Sequence, residues 1–141
     1  VLEFNCRLGD PETQPIMMRL KSDLVTLVEH ALMGTLNKVE SSWDLRTALG
    51  IVLAAKGYPQ SPRKGDVVII PPQDNADVHV FHAGTALIDN QLVTNGGRVL
   101  CVTALGENAI KARDLALETS DRISFADKQY RTDIGYRATK N

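Results

Sequence analysis

A series of short apolar runs between residues 45 and 105 constrains the fold of this chain more than any other feature. The runs are rich in β-branched residues and are separated by turn residues such as Gly57-Tyr58-Pro59, a pattern typical of β-strands. Periodicity alone does not distinguish strand from buried helix for the run LRTALGIVLAA, but its β-branched residues and the turn after it favour a strand. We therefore predict strands over residues 45–55, 67–70, 78–82 and 98–105, and a hairpin over residues 85–94 with its turn at Asp89 and Asn90.

Two segments have the spacing of amphipathic helices. The first, residues 15–33, begins at Pro15, which is tolerated at the start of a helix, and stops at Gly34. The second, residues 107–122, carries a row of small residues on one face: Ala109, Ala112, Ala116 and Thr119. Helices and strands in this order predict an α+β fold with mostly antiparallel strands.

Composition and charge narrow the class of protein. The chain has 141 residues, 43% apolar and 23% charged, which suits one domain, or one small domain with a piece of another. A net charge of −1 gives no electrostatic reason to expect a nucleic-acid or membrane partner, and no apolar run approaches the roughly 18 residues that span a bilayer. Cys6 and Cys101 lack metal-ligand spacing, so we expect two reduced, mostly buried thiols in a cytoplasmic protein rather than a disulfide.

The opening residues VLEFNCR alternate between apolar and polar side chains. This period of two predicts a strand over residues 1–7 with Leu2, Phe4 and Cys6 buried. The chain starts at Val1 without an initiator Met and enters a strand at once, and a strand needs a neighbour for its backbone groups. We therefore expect the chain to be part of a larger protein.

The polar face of this predicted strand carries Glu3, Asn5 and Arg7. Alternate strand residues lie about 6.5–7 Å apart on one face, so Glu3 and Asn5 can converge on one cation. A carboxylate and an amide oxygen suit Mg²⁺, which completes its shell with water and phosphate oxygens, and the Arg7 guanidinium can bind a phosphate bidentately. A solvated strand face is the alternative interpretation, because the spacing alone is a weak motif.

Longer sequence motifs make the interpretation of Glu3, Asn5 and Arg7 as a metal and phosphate site more specific. The stretch LEFNCRLGDPETQ closely resembles the end of the ATP-grasp domain in the glycinamide ribonucleotide synthetase family, whose usual form is EFN-R-FGDPE-Q. Leu8 replaces the family's common Phe on the apolar face, where the change should affect packing rather than chemistry. The resemblance extends along the chain, in order, through LKSDL, AKGYP, KGD, VFHAGTAL, VTNGGRVLCVTALG and YRTDIGYRA.

The resemblance implies a fold and an activity. Residues 1–36 would be the terminal strand and helix of an ATP-grasp domain, and residues 37–141 a small mixed, mostly antiparallel, barrel-like C-terminal domain. Members of the family use ATP to join glycine to 5-phosphoribosylamine in purine biosynthesis, by way of glycyl phosphate. The cofactor would be Mg²⁺ or Mn²⁺, and ATP, glycine and 5-phosphoribosylamine would be the partners of the full-length enzyme.

The resemblance also assigns roles to individual residues. Glu3 and Asn5 match metal ligands near the β- and γ-phosphates, and Arg7 matches a catalytic arginine that stabilises the phosphoryl group. Asp10, Pro11 and Glu12 match a GDPE turn on the substrate side, although a turn that caps the following helix is an equally good interpretation.

Other candidate sites are weaker. Gly84-Thr85 and Asn95-Gly96-Gly97 could form a backbone pocket, but such clusters are more often turns that need positive φ. Arg98 could reach an anion, although an arginine at a strand start is usually solvated.

Two alternatives to the ligase remain from the sequence. One is another ATP-grasp enzyme, such as a biotin carboxylase-like carboxylase, and the other is a structural module without chemistry. The glycine-rich and lysine-bearing nucleotide-clamping segments of the family are absent from these 141 residues. We therefore expect the chain alone to be inactive.

Overall fold

The computed structural model describes residues 4–139. It is an α+β fold with antiparallel strands, as predicted. The helices are α1 (Thr13–Arg19), α2 (Leu24–Leu32) and α3 (Ala109–Arg122), with a 3₁₀ turn at Leu36–Lys38. The strands are β1 (Thr47–Ala54), β2 (Val78–His82), β3 (Thr85–Ile88), β4 (Gln91–Thr94) and β5 (Arg98–Gly106).

The main sheet has the order β1-β5-β2, with β5 in the centre and both pairings antiparallel. Ile51 and Val80 both lie opposite Val102, so these three side chains share one face of the sheet. This face forms the hydrophobic core together with Ala112 and Ala116 of α3. Small side chains let α3 lie close to the sheet, which is the reason for its row of alanines.

The opposite face of the sheet is covered by α1. Gly50 of β1 points away from the neighbouring Leu49 and Ile51, because strand residues alternate in direction. A Cβ on Gly50 would lie 3.4 Å from Pro15 Cγ and 3.2 Å from Cys101 Sγ. Gly50 therefore allows the start of α1 to approach β1 and β5 closely.

The hairpin is confirmed, and the predicted barrel-like closure is not. Asp89 and Asn90 have φ of 48° and 62°, the left-handed pair that a type I′ turn requires. Between residues 4 and 139 the hairpin β3-β4 remains a separate two-stranded sheet, so no closed barrel forms. The predicted strand at residues 67–70 is reduced to isolated bridges, because Val67 pairs with Val93 while Ile69 pairs with Ser124, so no continuous ladder with one partner strand forms.

The helix predicted over residues 15–33 is two helices. Leu20 has an extended backbone and forms a bridge with Trp43, and Asp23 then caps α2 by accepting a hydrogen bond from the Thr26 amide at 2.8 Å. The apolar period continues across this break, so periodicity alone did not reveal it. The predicted stop is confirmed, since Gly34 has φ of 65°.

The opening strand is not formed over the part of it that the structure describes. Residues 4–7 have no strand assignment, Phe4 is 85% exposed, and Cys6 is exposed rather than buried. Cys101 is buried as expected, and neither thiol is in a disulfide. No neighbouring strand pairs with residues 4–7 within the described chain, and an isolated strand cannot satisfy its backbone groups. Val1, Leu2 and Glu3 lie outside the described residues.

No helix in the described part of the chain has the length and apolar character needed to cross a membrane.

A charge cluster at the start of β1 gives a first prediction. Arg46 binds Asp44 at 2.8 Å and Asp77 at 2.7 Å, and the Arg46 guanidinium holds the pKa of the largely buried Asp44 carboxyl well below its usual range. Because the folded-state pKa lies below the unfolded value, this carboxylate stabilises the fold above about pH 4 and loses that effect as the pH falls.

We expect Asp44→Asn to lower Tm at neutral pH by a few degrees and to weaken the loss of stability on acidification. Thermal unfolding followed by circular dichroism across the acid range measures both effects. The exposed Asp74→Asn is the matched control. An Asp44→Asn chain with the wild-type Tm and the wild-type acid dependence would show that the cluster is not stabilising.

Candidate functional site

The predicted metal ligands are Glu3 and Asn5, in the opening segment of the chain. Glu3 is outside the described residues, so its role stays a prediction. Asn5 is exposed, and so is Arg7, whose Nη1 donates to the Leu8 carbonyl at 3.0 Å. Within residues 4–139, no group of three or more His, Cys, Asp or Glu side chains is placed to hold a metal. The donor set still fits Mg²⁺ or Mn²⁺, because such an ion takes one or two hard-oxygen protein ligands and completes its shell with phosphates and water.

Asp10 is held by several contacts. Its Oδ1 accepts from Gln14 Nε2 at 3.0 Å, and its Oδ2 lies 3.2 Å from Arg98 Nε. Its backbone carbonyl accepts from Arg98 Nη1 at 2.9 Å. The side chain and the backbone of Asp10 are therefore both fixed against α1 and β5.

Pro11 lies at the wall of an open groove of about 370 Å³ on the face of the sheet that α1 covers only in part. The floor of the groove is Gly50, Val52 and Ala54 of β1, and Tyr58 and Ile134 form further walls. The groove suits an apolar group or the flat side of a ring better than it suits a free phosphate. Tyr58 and Ile134 lie in the stretches AKGYP and YRTDIGYRA, but no sequence pattern places either residue beside Pro11.

Glu12 stands at the N-cap position of α1, but its side chain makes no capping hydrogen bond. The Thr13 amide donates instead to the Gly9 carbonyl at 3.0 Å, and the Thr13 hydroxyl donates to the same oxygen. The capping interpretation of this turn is therefore wrong for Glu12, whose carboxylate is exposed.

The buried thiol of Cys101 lies under this turn. Burial raises the pKa of Cys101, and the nearby Asp10 carboxylate raises it further, while a hydrogen bond with Thr103 acts in the opposite direction. A thiol of raised pKa is a poor nucleophile, so Cys101 has a packing role.

In the two glycine clusters, Gly84 and Gly96 bring two backbone segments into close contact. The φ angles of the glycines in these clusters are not in the left-handed region. A Cβ on Gly84 would lie 2.6 Å from Gly96 Cα and 2.7 Å from the Arg98 carbonyl oxygen. The Asn95 amide donates to the Gly84 carbonyl at 2.7 Å. These glycines bring the start of β3 against the start of β5, and the backbone at Arg98 is held between them.

Arg98 makes contacts that the sequence did not reveal. It was expected to be solvated or to bind an anion, and the anion it contacts is Asp10, which is 88 positions away in the chain. No local pattern connects residues at that separation.

Comparison with known proteins supplies a family. The model of the family described as "Phosphoribosylglycinamide synthetase, C domain" matches residues 48–137. A Haemophilus influenzae protein named phosphoribosylamine–glycine ligase is 57% identical over 141 residues, which cover 99% of this chain and 33% of that protein. A Pseudomonas aeruginosa protein of the same name is 56% identical over 139 residues, covering 98% of this chain and 32% of that protein.

A solved structure agrees with the sequence matches. The crystal structure of the phosphoribosylamine–glycine ligase from Thermotoga maritima superposes with a TM-score of 0.72 at 37% identity, covering 94% of this chain and 32% of that one. The chain thus spans about a third of the length of the relatives it matches. On the strength of the match over residues 48–137, it belongs to the phosphoribosylglycinamide synthetase C-domain family.

Proposed function

We propose that this chain acts as part of an ATP-dependent ligase that forms an amide between glycine and 5-phosphoribosylamine in purine biosynthesis. The observation that carries the proposal is the 57% identity over 141 residues to a protein named for this reaction. The opening segment, with its carboxylate, amide and guanidinium, supplies side chains suited to phosphoryl transfer. The free thiols of Cys6 and Cys101 are in keeping with a cytoplasmic enzyme.

The proposed reaction has two steps. A carboxylate oxygen of glycine attacks the γ-phosphorus of ATP, and ADP leaves, which gives glycyl phosphate. The amine nitrogen of 5-phosphoribosylamine then attacks the carbonyl carbon, phosphate leaves, and the nitrogen loses a proton to give the amide. Catalysis of such steps consists mainly of positioning and of neutralising charge on phosphate oxygens.

The residues of this chain have defined roles in that scheme. Glu3 and Asn5 would hold Mg²⁺ or Mn²⁺, which neutralises phosphate charge when bound. Arg7 presents its guanidinium to the transferred phosphoryl group, with a fork that matches two phosphate oxygens. The turn Asp10-Pro11-Glu12 borders the substrate, with Asp10 fixed in place and Glu12 exposed at the start of α1.

We place the division of the chain at residues 36 and 37. Residues 1–36 would complete an ATP-grasp domain and residues 37–141 would form the C-terminal domain, a division supported by the family match over residues 48–137.

Apolar side chains on α2 and just after it are exposed, among them Val25, Val28, Leu32 and Met33. Such a surface suits packing against further polypeptide, so we expect the chain alone to be inactive.

A chimera tests the proposal. In the chimera, the third of the Haemophilus influenzae ligase that matches this chain is replaced by residues 1–141. We expect ADP release that requires both glycine and 5-phosphoribosylamine, and no ADP release from the chain alone. Bicarbonate replaces glycine in a parallel assay, because a biotin carboxylase-like enzyme would use it instead.

Cooperative thermal unfolding of the chimera is measured before the assay. A folded chimera that releases no ADP with glycine and 5-phosphoribosylamine, or that releases ADP only with bicarbonate, contradicts the proposal. If the chimera does not fold, the truncated Haemophilus protein and this chain are mixed and assayed together, with the same expected result.

A further inference from the structure

Arg98 makes a pair of contacts that holds one residue by both its side chain and its backbone. Its Nε lies 3.2 Å from Asp10 Oδ2, and its Nη1 donates to the Asp10 carbonyl at 2.9 Å. A guanidinium can make both contacts at once because its donors form a rigid fork, whereas a lysine ammonium cannot reproduce this geometry.

The backbone that carries Arg98 is itself fixed. The Gly84 amide donates to the Arg98 carbonyl at 2.8 Å, and a Cβ on Gly84 would meet that carbonyl and Gly96. Arg98 also lies opposite Ala54, where the pairing of β1 with β5 shifts register. The guanidinium therefore extends from a backbone segment that the Gly84 amide holds by a hydrogen bond.

Asp10 is in turn the point at which the opening segment meets the fold. Residues 4–8 are all exposed, while Asp10 is held from one side by Arg98 and from the other by Gln14 of α1. Three residues span at most about 10 Å, so the position of Asp10 limits where Arg7 can lie.

We propose that Arg98 is a positioning residue of the ligase: it fixes Asp10, and through it the position of the segment Phe4–Arg7 that precedes it. The proposal rests on the proposed function, in which that segment contacts the transferred phosphoryl group. The ion pair is about 40% exposed at both side chains, and exposed pairs contribute little to stability. The effect of losing Arg98 should therefore appear in catalysis and not in unfolding.

The test uses the chimera with Arg98→Met, Arg98→Lys and Asp10→Asn. A displacement of about 1 Å in a catalytic group can reduce a rate on the order of 10²-fold. We expect Arg98→Met to lower kcat roughly 10- to 100-fold with little change in KM for ATP and in Tm, and Arg98→Lys to recover part of the loss. Arg98→Met combined with Asp10→Asn should be little worse than Arg98→Met alone, because Arg98→Met already removes the ion pair that Asp10→Asn weakens. Arg113→Met, in α3 on the opposite face of the sheet, is the matched control and should leave kcat unchanged.

A chimera that is active and retains its kcat with Arg98→Met overturns the positioning role and leaves the ligase function standing. Losses that multiply in the double variant, or a kcat that falls only in proportion to a falling Tm, overturn it as well.

A second measurement does not depend on activity. In the 141-residue chain, hydrogen exchange at the Thr13 amide, which donates to Gly9 beside Asp10, should accelerate about tenfold or more with Arg98→Met and not with Arg113→Met. Unchanged exchange at Thr13 would show that Arg98 does not hold this turn, even if the chimera proved inactive.

Discussion

Glu3→Ala in the chimera should lower the kcat of glycine- and 5-phosphoribosylamine-dependent ADP release by roughly 10²–10³-fold. The physical reason is that the Glu3 carboxylate would be the charged ligand of the cation that neutralises the phosphates of ATP. Asn5 alone would leave a site with one neutral protein ligand. Steady-state kinetics at saturating ATP, glycine and 5-phosphoribosylamine measure the loss.

Two further variants separate this role from a general effect of charge. Glu3→Asp keeps a carboxylate and should recover part of the activity, whereas Glu118→Ala removes an exposed carboxylate from α3 and should change nothing. An unchanged kcat in Glu3→Ala would favour a structural module without chemistry in this segment.

Gly106→Ala should cause the largest loss of stability, since a Cβ on Gly106 would overlap the backbone nitrogen of Ala112 and lie 2.8 Å from its Cα. The clash is with the backbone of α3 and not with a movable side chain, so the helix must shift away from the sheet. We expect a cost of about 2–3 kcal/mol, which corresponds to a fall in Tm of roughly 5–10 °C for a domain of this size. Thermal unfolding of the 141-residue chain gives the value.

The matched control is Gly34→Ala. Gly34 has φ of 65° and nothing within 4 Å of where a Cβ would lie, so only backbone strain of about 1 kcal/mol is expected. If Gly106→Ala were no less stable than Gly34→Ala, the close approach of β5 to α3 would not be what the glycine provides.

Strands β1 and β5, the β3-β4 hairpin and the last helix could be predicted because their signals are local. The β-branched runs of β1 and β5 and the Asp89-Asn90 turn depend on neighbouring residues alone, and so does the row of small residues at Ala112 and Ala116. Each of these features occurs where it was expected.

The wrong predictions of secondary structure share one physical cause. Each depends on a pairing or capping residue that the local apolar pattern does not show. Residues 4–7 alternate like a strand, but a strand forms only beside another, and no strand pairs with them within the described part of the chain. The first helix breaks because Leu20 pairs with Trp43 and Asp23 caps a new helix. Both alternatives preserve the apolar spacing that suggested one continuous helix.

The sequence predicts the chemistry of the candidate site, and that prediction stays untested, but it does not predict the contacts that hold the site in place. The motifs EFN-R and GDPE identify Glu3, Asn5, Arg7 and the turn Asp10-Pro11-Glu12, since the resemblance lies in contiguous residues. The contact between Arg98 and Asp10, in contrast, joins residues 88 positions apart. It forms where the turn before α1 packs against the start of β5, and no single stretch of sequence shows this.

The measurement that tests the central claim most directly is anomalous diffraction from manganese in crystals of the chimera with Mn²⁺ and a non-hydrolysable ATP analogue. We predict a manganese ion coordinated by the Glu3 carboxylate and the Asn5 amide oxygen and bridged to the phosphates of the nucleotide. The same peak should be lost in Glu3→Ala crystals. Manganese bound to the phosphates with no contact to Glu3 or Asn5 would contradict the assignment of the opening segment to the phosphoryl-transfer site.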